Sequence, residues 1–178
     1  GDDASVLDVC TTAALRRSHY DRRLAVVGTT RAELAERLRS YVQGDKQAGL
    51  AVGQRDPAAK RRAAFVFSGQ GPQWWSMGRE LLEREPVFRA VLEQCDALLA
   101  AAGGWSLLEE MARPEAESRL DQTEIAEPAL FALQVGLAAL WQEWGVTPDA
   151  VVGHSLGEIA AAHVAGILSL EEAVRIVL

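Results

Sequence analysis

A serine flanked by glycines places the tightest constraint on how this chain can fold. The run Gly153–Gly157, with the sequence GHSLG, follows the short apolar segment Ala150–Val152 and leads into a helical apolar pattern that begins at Leu156. A serine between a buried strand and a helix must turn sharply in a strained backbone conformation, and glycines two positions away on either side remove Cβ atoms that would collide there. The turn lifts the Ser155 hydroxyl above the sheet, where free N–H groups and the helix dipole can stabilise an oxyanion. The pattern predicts a nucleophilic serine, with a purely structural turn as the alternative.

Strands and helices alternate along the rest of the chain. Arg23–Gly28 and Ala63–Phe67 have the composition of strands, and segments with helical apolar spacing come after each of them. Such alternation implies a mainly parallel sheet covered by helices, which is an α/β fold. The segment between them, Gly44–Arg62, is polar, contains glycines and ends in the charged run Lys60–Arg62. We therefore predict a linker there, because a charged run of this kind is usually solvated.

Capping residues and proline mark where the helices begin. The pairs Thr30–Glu33 and Ser169–Glu172 have the spacing of a capping box, in which each residue satisfies a backbone N–H of the other. Pro128 suits the first position of a helix, and we predict a helix over 128–144. Its apolar part is interrupted by Gln134 and is too short to span a bilayer, so we expect a buried core helix.

Charge and cysteine content exclude several classes of function. The 178 residues include 18 basic and 25 acidic side chains, for a net charge of −7. Such a chain has no positive field to release counterions from phosphate, so a general nucleic-acid binder is excluded, and no membrane partner is expected. Cys10 and Cys95 are too few and too far apart for a disulfide framework or a zinc site, and with no N-terminal signal peptide they predict a reducing, cytoplasmic location. Cys95 lies on the apolar face of a helix and is interpreted as a small core side chain.

A second candidate element follows the strand at Ala63–Phe67. The sequence there continues as SGQG, so that Gln70 stands between two glycines directly after a strand. Its backbone N–H or its side-chain amide could turn toward a neighbouring site. The alternative is an ordinary strand-to-helix turn with an incidental glutamine. A phosphate-binding loop is disfavoured because the lysine of such loops is missing.

Together these motifs resemble a known family. The runs FVFSGQGPQWWSMGREL and EPALFALQVGLAALWQEWGVTPDAVVGHSLGEIAAAHVAG resemble the acyltransferase domain of modular polyketide synthases, and are similar to the malonyl-CoA:acyl-carrier-protein transacylases of fatty-acid synthesis. The run DVCTTAALRRSHYDRRLAVVG resembles the linker that joins ketosynthase to acyltransferase. The resemblance implies a small α/β linker domain over 1–57, followed over 58–178 by the first part of an α/β-hydrolase-like subdomain with a mainly parallel sheet.

The resemblance also implies a reaction and its participants. Ser155 would attack the thioester of an acyl-CoA carrying a malonyl-type group, and the backbone N–H groups of Leu156 and Gln70 would form the oxyanion hole. His154 would have a positioning role. The acyl group would then pass to the phosphopantetheine thiol of an acyl carrier protein, while the linker would contact an adjacent ketosynthase. No metal and no bound cofactor is implied.

Two residues of the family's machinery are expected past Leu178: the general-base histidine and the arginine that binds the substrate carboxylate. Arg175 comes too early to match that arginine and is expected on an exposed helix face. His163 and His19 are interpreted as packing or surface residues. Glu127 stands where the family often has glutamine, which puts that position's role in doubt. We therefore expect the chain to be an incomplete piece of the enzyme that does not turn over by itself, because a serine without its base keeps a neutral hydroxyl.

Two other functions fit part of the same pattern. A serine esterase or thioesterase would use the same turn and release free acid to water, although the SGQG segment argues against it. A non-catalytic docking piece would hold neighbouring domains through the linker and leave Ser155 idle. Loading of a carrier protein, as against release of free acid, separates the first alternative from acyl transfer.

Overall fold

The computed structural model describes residues 4–45, 47–59 and 62–178. The chain divides into two compact units, Gly1–Lys60 and Arg61–Leu178. Of the charged run at 60–62, Lys60 and Arg61 lie outside the described residues.

The first unit combines two helices with an antiparallel pair of strands. Its elements are α1 Val6–Leu15, β1 Arg22–Val26, α2 Arg31–Gln43 and β2 Leu50–Gln54. The two strands pair antiparallel, with the first residue of β1 opposite the last residue of β2. The prediction of a linker throughout 44–62 is therefore wrong for residues 50–54. Three apolar residues of that segment pair with β1. The glycines and polar residues around them made the segment look like a linker in the sequence.

The caps of α2 differ slightly from the predicted box. The Thr30 side chain accepts a hydrogen bond from the N–H of Glu33, as predicted. The Glu33 carboxylate, however, accepts from the N–H and the hydroxyl of Thr29, one residue before the cap. These two hydrogen bonds lower the pKa of Glu33. The predicted box at Ser169–Glu172 is complete, since Glu172 accepts from the N–H of Ser169 and Ser169 accepts from the N–H of Glu172.

The described part of the second unit contains a parallel pair of strands and six α-helices. Its elements are β3 Ala64–Phe67, α3 Arg79–Arg84, α4 Pro86–Gly103, α5 Leu107–Ala112, a 3-10 turn Glu115–Glu117, α6 Thr123–Glu143, β4 Ala150–Gly153, α7 Leu156–Val164 and α8 Leu170–Val177. Strands β3 and β4 are parallel and in register from Ala64 opposite Ala150 to Phe67 opposite Gly153. The expected α/β class with a parallel sheet is thus confirmed in this unit. The register also brings the two segments that leave the strands to one edge of the sheet.

Helix α6 is the centre of the second unit's core. It begins at Thr123, five residues before the predicted start, so Pro128 lies inside the helix and not at its first position. Ile125 and Ala126 are buried in the core, and this packing extends the helix toward its N-terminus although proline cannot donate to Glu124. With 21 residues, α6 is the one helix among the described residues long and apolar enough to cross a membrane, so the expectation from length was wrong. However, 67% of its most apolar stretch is buried within the protein, as expected for a core helix.

Helices α4 and α6 approach each other closely at Gly136. A Cβ atom on this glycine would lie 2.7 Å from Leu92 Cδ1 and 2.9 Å from Phe88 Cδ2. Both of those side chains are fully buried, so they have little room to move away. The small residue is therefore a packing requirement of the contact between the two helices.

We expect Gly136→Val to lower the free energy of unfolding by about 2 kcal/mol, because the new methyl groups overlap Phe88 and Leu92. Urea denaturation followed by circular dichroism measures the change. Ala101→Val, at an exposed position of α4, is the control, and it should cost only about 0.5 kcal/mol through helix propensity. Equal midpoints for the two variants would contradict this account of the packing.

The two cysteines should differ in reactivity. Cys95 is fully buried in α4, and desolvation raises the pKa of its thiol to about 12. Its interpretation as a core side chain is confirmed. Cys10 is exposed.

At about pH 8 we expect iodoacetamide to label the peptide that contains Cys10 and to spare the one that contains Cys95 until the protein is denatured, because only the thiolate reacts. Equal labelling of the native protein, measured by mass spectrometry, would disprove the difference.

Candidate active site

The ends of β3 and β4 bring the two predicted elements together. The N–H of His154, the first residue after β4, donates to Phe67 O at 3.0 Å and so extends the pairing of the strands by one residue. Beyond it, Gly69 lies against the serine: a Cβ on Gly69 would be 3.1 Å from His154 Nδ1 and 3.3 Å from Ser155 Cβ. The segment Ser68–Gly71, here called the SGQG loop, therefore lies beside the segment Gly153–Gly157, here called the serine turn.

Ser155 has the strained backbone that the sequence predicts. Its φ of 54° and ψ of −124° make it the only residue other than glycine with a positive φ in the described part of the chain. Two hydrogen bonds hold the turn on either side, from Gly157 N to His154 O at 3.0 Å and from Glu158 N to Ser155 O at 2.9 Å. The side chain is exposed at the start of α7. Such a conformation costs free energy and persists only when the surrounding structure imposes it.

The two flanking glycines are required by close backbone contacts. A Cβ on Gly153 would collide with the carbonyl of Gly157. A Cβ on Gly157 would lie 2.6 Å from Phe67 C and 2.7 Å from Ser68 O, in the segment that leaves β3. Because the obstructing atoms belong to the backbone, no side-chain movement can relieve the overlap. The glycines thus allow α7 to start directly against the end of β3.

Potential oxyanion donors lie around the serine. The N–H of Leu156 is in the first turn of α7, where the helix offers no acceptor four residues earlier. The Leu156 side chain is buried and fixes that turn. Gln70 is exposed and follows Gly69 in the SGQG loop, and its side-chain Nε2 donates to Thr123 Oγ1 at 3.2 Å. This amide therefore links the loop to the start of α6.

The histidines have different surroundings. His154 is exposed, and in the described part of the chain its ring makes no hydrogen bond. His163 donates through Nδ1 to Leu168 O at 3.0 Å and packs edge-on against Phe131, while His19 donates through Nε2 to Ala14 O at 2.7 Å on the surface. The interpretation of His163 and His19 as packing and surface residues is confirmed.

Two charged side chains named from the sequence lie on helices of the second unit. Arg175 is exposed on α8, as expected, and Glu127 is half-buried on α6 without a hydrogen bond in the described part of the chain. Within that same part, no group of three or more histidine, cysteine, aspartate or glutamate side chains is placed to hold a metal ion.

One polar residue near the site was not predicted to contribute to it. Gln134 lies in the middle of α6, where only 9% of its surface is exposed, and its Nε2 donates to Ser68 O at 2.7 Å. The interruption of an apolar helix by a single amide was the available signal, but the partner is 66 residues away in the sequence.

Comparison with known proteins shows the family. A family model described as "Acyl transferase domain" matches residues 64–178, more than half of the chain. This chain belongs to the acyltransferase family. A second model, described as "CurL-like, PKS C-terminal", matches residues 1–38 and fits the resemblance of this N-terminal stretch to a linker.

The relatives are polyketide synthases and their acyltransferase domains. The chain is 47% identical over 173 residues to the polyketide synthase GfsA of Streptomyces halstedii, and the match covers 96% of the chain but 2% of that protein. The acyltransferase domain from the second module of the salinomycin polyketide synthase is 42% identical with a TM-score of 0.68, and the match covers 99% of this chain and 41% of that one. The acyltransferase domain of ZmaA is 28% identical with a TM-score of 0.83, over 99% and 40% of the two chains. The resemblance inferred from the motifs is thereby confirmed.

The strain at Ser155 predicts an unusual result for stability. Ser155→Gly should raise the free energy of unfolding of the protein by about 1 kcal/mol over Ser155→Ala, because glycine accepts a positive φ without steric cost even after its larger loss of chain entropy. Chemical denaturation of both variants measures the difference. At Ser76, which has a negative φ, the same comparison should favour alanine. A Ser155→Gly variant no more stable than Ser155→Ala would argue against a strained turn.

Proposed function

We propose that Ser155 is the nucleophile of an acyl transfer from coenzyme A to an acyl carrier protein in polyketide synthesis. The observation that carries the proposal is the strained, exposed conformation of Ser155 at the start of α7, directly beside the SGQG loop. Strain at a solvent-accessible serine offers no benefit to stability, and such strain is concentrated at functional sites. Membership of the acyltransferase family and the similarity to polyketide synthases support the same reaction.

The transfer proceeds in two halves. In the first, Ser155 Oγ attacks the thioester carbon, the carbon–sulfur bond breaks, and coenzyme A leaves with the proton that the serine loses. In the second, the phosphopantetheine thiol of the carrier protein attacks the oxyester, the carbon–oxygen bond breaks, and Ser155 regains a proton. Both halves pass through a tetrahedral oxyanion. The N–H groups of Leu156 and Gln70 are the donors proposed to stabilise it, and loss of one such donor costs about 3 kcal/mol of transition-state stabilisation.

A general base is needed to take the proton from Ser155. No hydrogen bond to Ser155 Oγ is found among the described residues, and His163 and His19 are engaged elsewhere. His154 is assigned a positioning role, because it extends the pairing of the strands through its backbone. The base and the arginine for the substrate carboxylate are therefore proposed to be other residues of the parent protein. Residues 1–178 alone are expected to be inactive, since oxyanion donors without a base leave only residual catalysis.

The proposed partners follow from this reaction. They are an acyl-CoA of the malonyl type, an acyl carrier protein bearing phosphopantetheine, and an adjacent ketosynthase in contact with the linker. Coenzyme A is a substrate here, and no bound cofactor or metal is proposed. The net charge of −7 and the burial of α6 support a protein of the cytoplasm that binds neither nucleic acid nor membrane.

The test is Ser155→Ala in the complete parent protein. With radiolabelled malonyl-CoA, and with methylmalonyl-CoA in parallel, we expect the variant to load its carrier protein at least about 10⁴-fold more slowly, because the nucleophile is gone. Ser76→Ala, which removes a hydroxyl without a hydrogen bond in the described part of the chain, is the control and should load normally. Loading of Ser155→Ala at the wild-type rate would leave only the docking role. Release of free acid in place of loading by the wild type would indicate a thioesterase.

A further inference from the structure

The buried side-chain amide of Gln134 on α6 contacts the backbone of the SGQG loop. Gln134 donates from Nε2 to Ser68 O at 2.7 Å, and Ser68 Oγ lies 3.4 Å from the same nitrogen. A backbone carbonyl can only accept, so the amide must present its NH₂ group to this oxygen. Gln134 Oε1 is buried without a partner in the described part of the chain. The bond to Ser68 is thus the interaction that offsets the cost of burying an amide in an apolar helix.

The loop needs such a bond because its sequence makes its backbone flexible. Two of its four residues are glycine, and glycine permits backbone conformations that other residues cannot adopt. The other bonds of the loop, Gln70 Nε2 to Thr123 Oγ1 and Gly71 N to Gln73 Oε1, are at exposed positions. Exposed hydrogen bonds compete with water, whereas a buried one does not. The contact from Gln134 is therefore the least exposed of the hydrogen bonds that restrain this loop, because it is partly buried against α6.

The position of the Ser68 carbonyl determines the geometry next to Ser155. On one side this oxygen receives Gln134, and on the other it lies so close to α7 that a Cβ on Gly157 would be 2.7 Å away. The peptide bond that follows is planar, so fixing the carbonyl also fixes the direction of the Gly69 N–H. Gly69 in turn lies against Ser155, and Gln70 follows directly. A rotation of the peptide bond between Ser68 and Gly69 would therefore change the direction of the Gln70 N–H, because only Gly69 separates the two residues.

We infer that Gln134 is a positioning residue of the acyl transfer: its amide holds the Ser68 carbonyl so that the Gln70 N–H is already directed at the oxyanion formed at Ser155. The inference rests on the proposed function of Ser155. Its physical basis is preorganisation, because a donor that is in place before the reaction costs nothing to orient when negative charge develops. Gln134 touches neither substrate nor reacting atoms and acts through the loop alone.

The decisive variant is Gln134→Met in the parent protein, which keeps the size of the side chain and removes the donor. In single-turnover acylation at saturating malonyl-CoA, we expect the rate constant to fall by about 10-fold to 100-fold, less than for loss of a donor itself, while the KM for malonyl-CoA changes by less than about twofold. Gln142→Met, at an exposed position of the same helix, should leave both unchanged. Rates are expressed per folded protein, from circular dichroism.

Gln134→Glu adds a readout that packing alone would not change. When protonated, the new carboxyl can donate to Ser68 O, and when ionised it can only repel that oxygen. Burial raises the pKa of such a carboxyl. The ratio of the Gln134→Glu rate to the wild-type rate should therefore rise as the pH is lowered from about 8 to about 6. The Gln134→Met ratio should stay flat over the same range.

Each outcome decides the question. A folded Gln134→Met variant with the wild-type rate, or Gln134 variants that lose activity only in proportion to their folded fraction and without recovery at low pH, would overturn the positioning role while Ser155→Ala still abolishes acylation. If Gln134→Met does not fold, the pH ratio of Gln134→Glu gives the answer. Acylation that survives Ser155→Ala would overturn the proposed function, and the role of Gln134 with it.

Discussion

The parallel pairing of β3 and β4 is the constraint on which the candidate site depends. Their register sets Phe67 opposite Gly153, and the hydrogen bond from His154 to Phe67 continues it. Because parallel strands end at the same edge of a sheet, two segments about 85 residues apart in sequence become neighbours through the pairing of their backbones. A shift of one residue in either strand would exchange the faces of its side chains and separate the SGQG loop from the serine turn.

The strained backbone of Ser155 is held in place by the same paired ends of β3 and β4. The backbone of α7 begins so close to the end of β3 that neither Gly153 nor Gly157 has space for a Cβ atom. The turn consequently cannot relax by moving outward without breaking the close contact of α7 with both strands. The free energy that the strain costs is met by the buried core beneath, in which α6 and α7 pack together. The conformation that exposes the hydroxyl therefore lowers the stability of the fold, and packing of the core compensates for that loss.

The parts of the structure predictable from the sequence were those encoded locally. The strand, turn and helix around Ser155 lie within the continuous stretch 150–164, and the capping box at Ser169–Glu172 lies within four residues, so sequence patterns specify both. The start of α6 and the strand β2 depend on distant partners and were missed. Thr123–Glu127 is a polar segment that becomes helical because Ile125 and Ala126 are buried, and Leu50–Gln54 is a strand because β1 offers it an edge.

Helix α6 illustrates why composition alone describes the site incompletely. An apolar helix of this length could be a membrane span or a core helix, and its hydropathy does not distinguish the two. Gly136 and Gln134 do distinguish them, because each has a specific partner within the folded unit: the rings and methyl groups of α4 for the glycine, and the carbonyl of Ser68 for the amide. Close packing against α4 determines where α6 lies. From that position the buried amide of Gln134 reaches the backbone carbonyl of Ser68 in the SGQG loop. The helix that organises the core thereby also determines the backbone geometry beside Ser155.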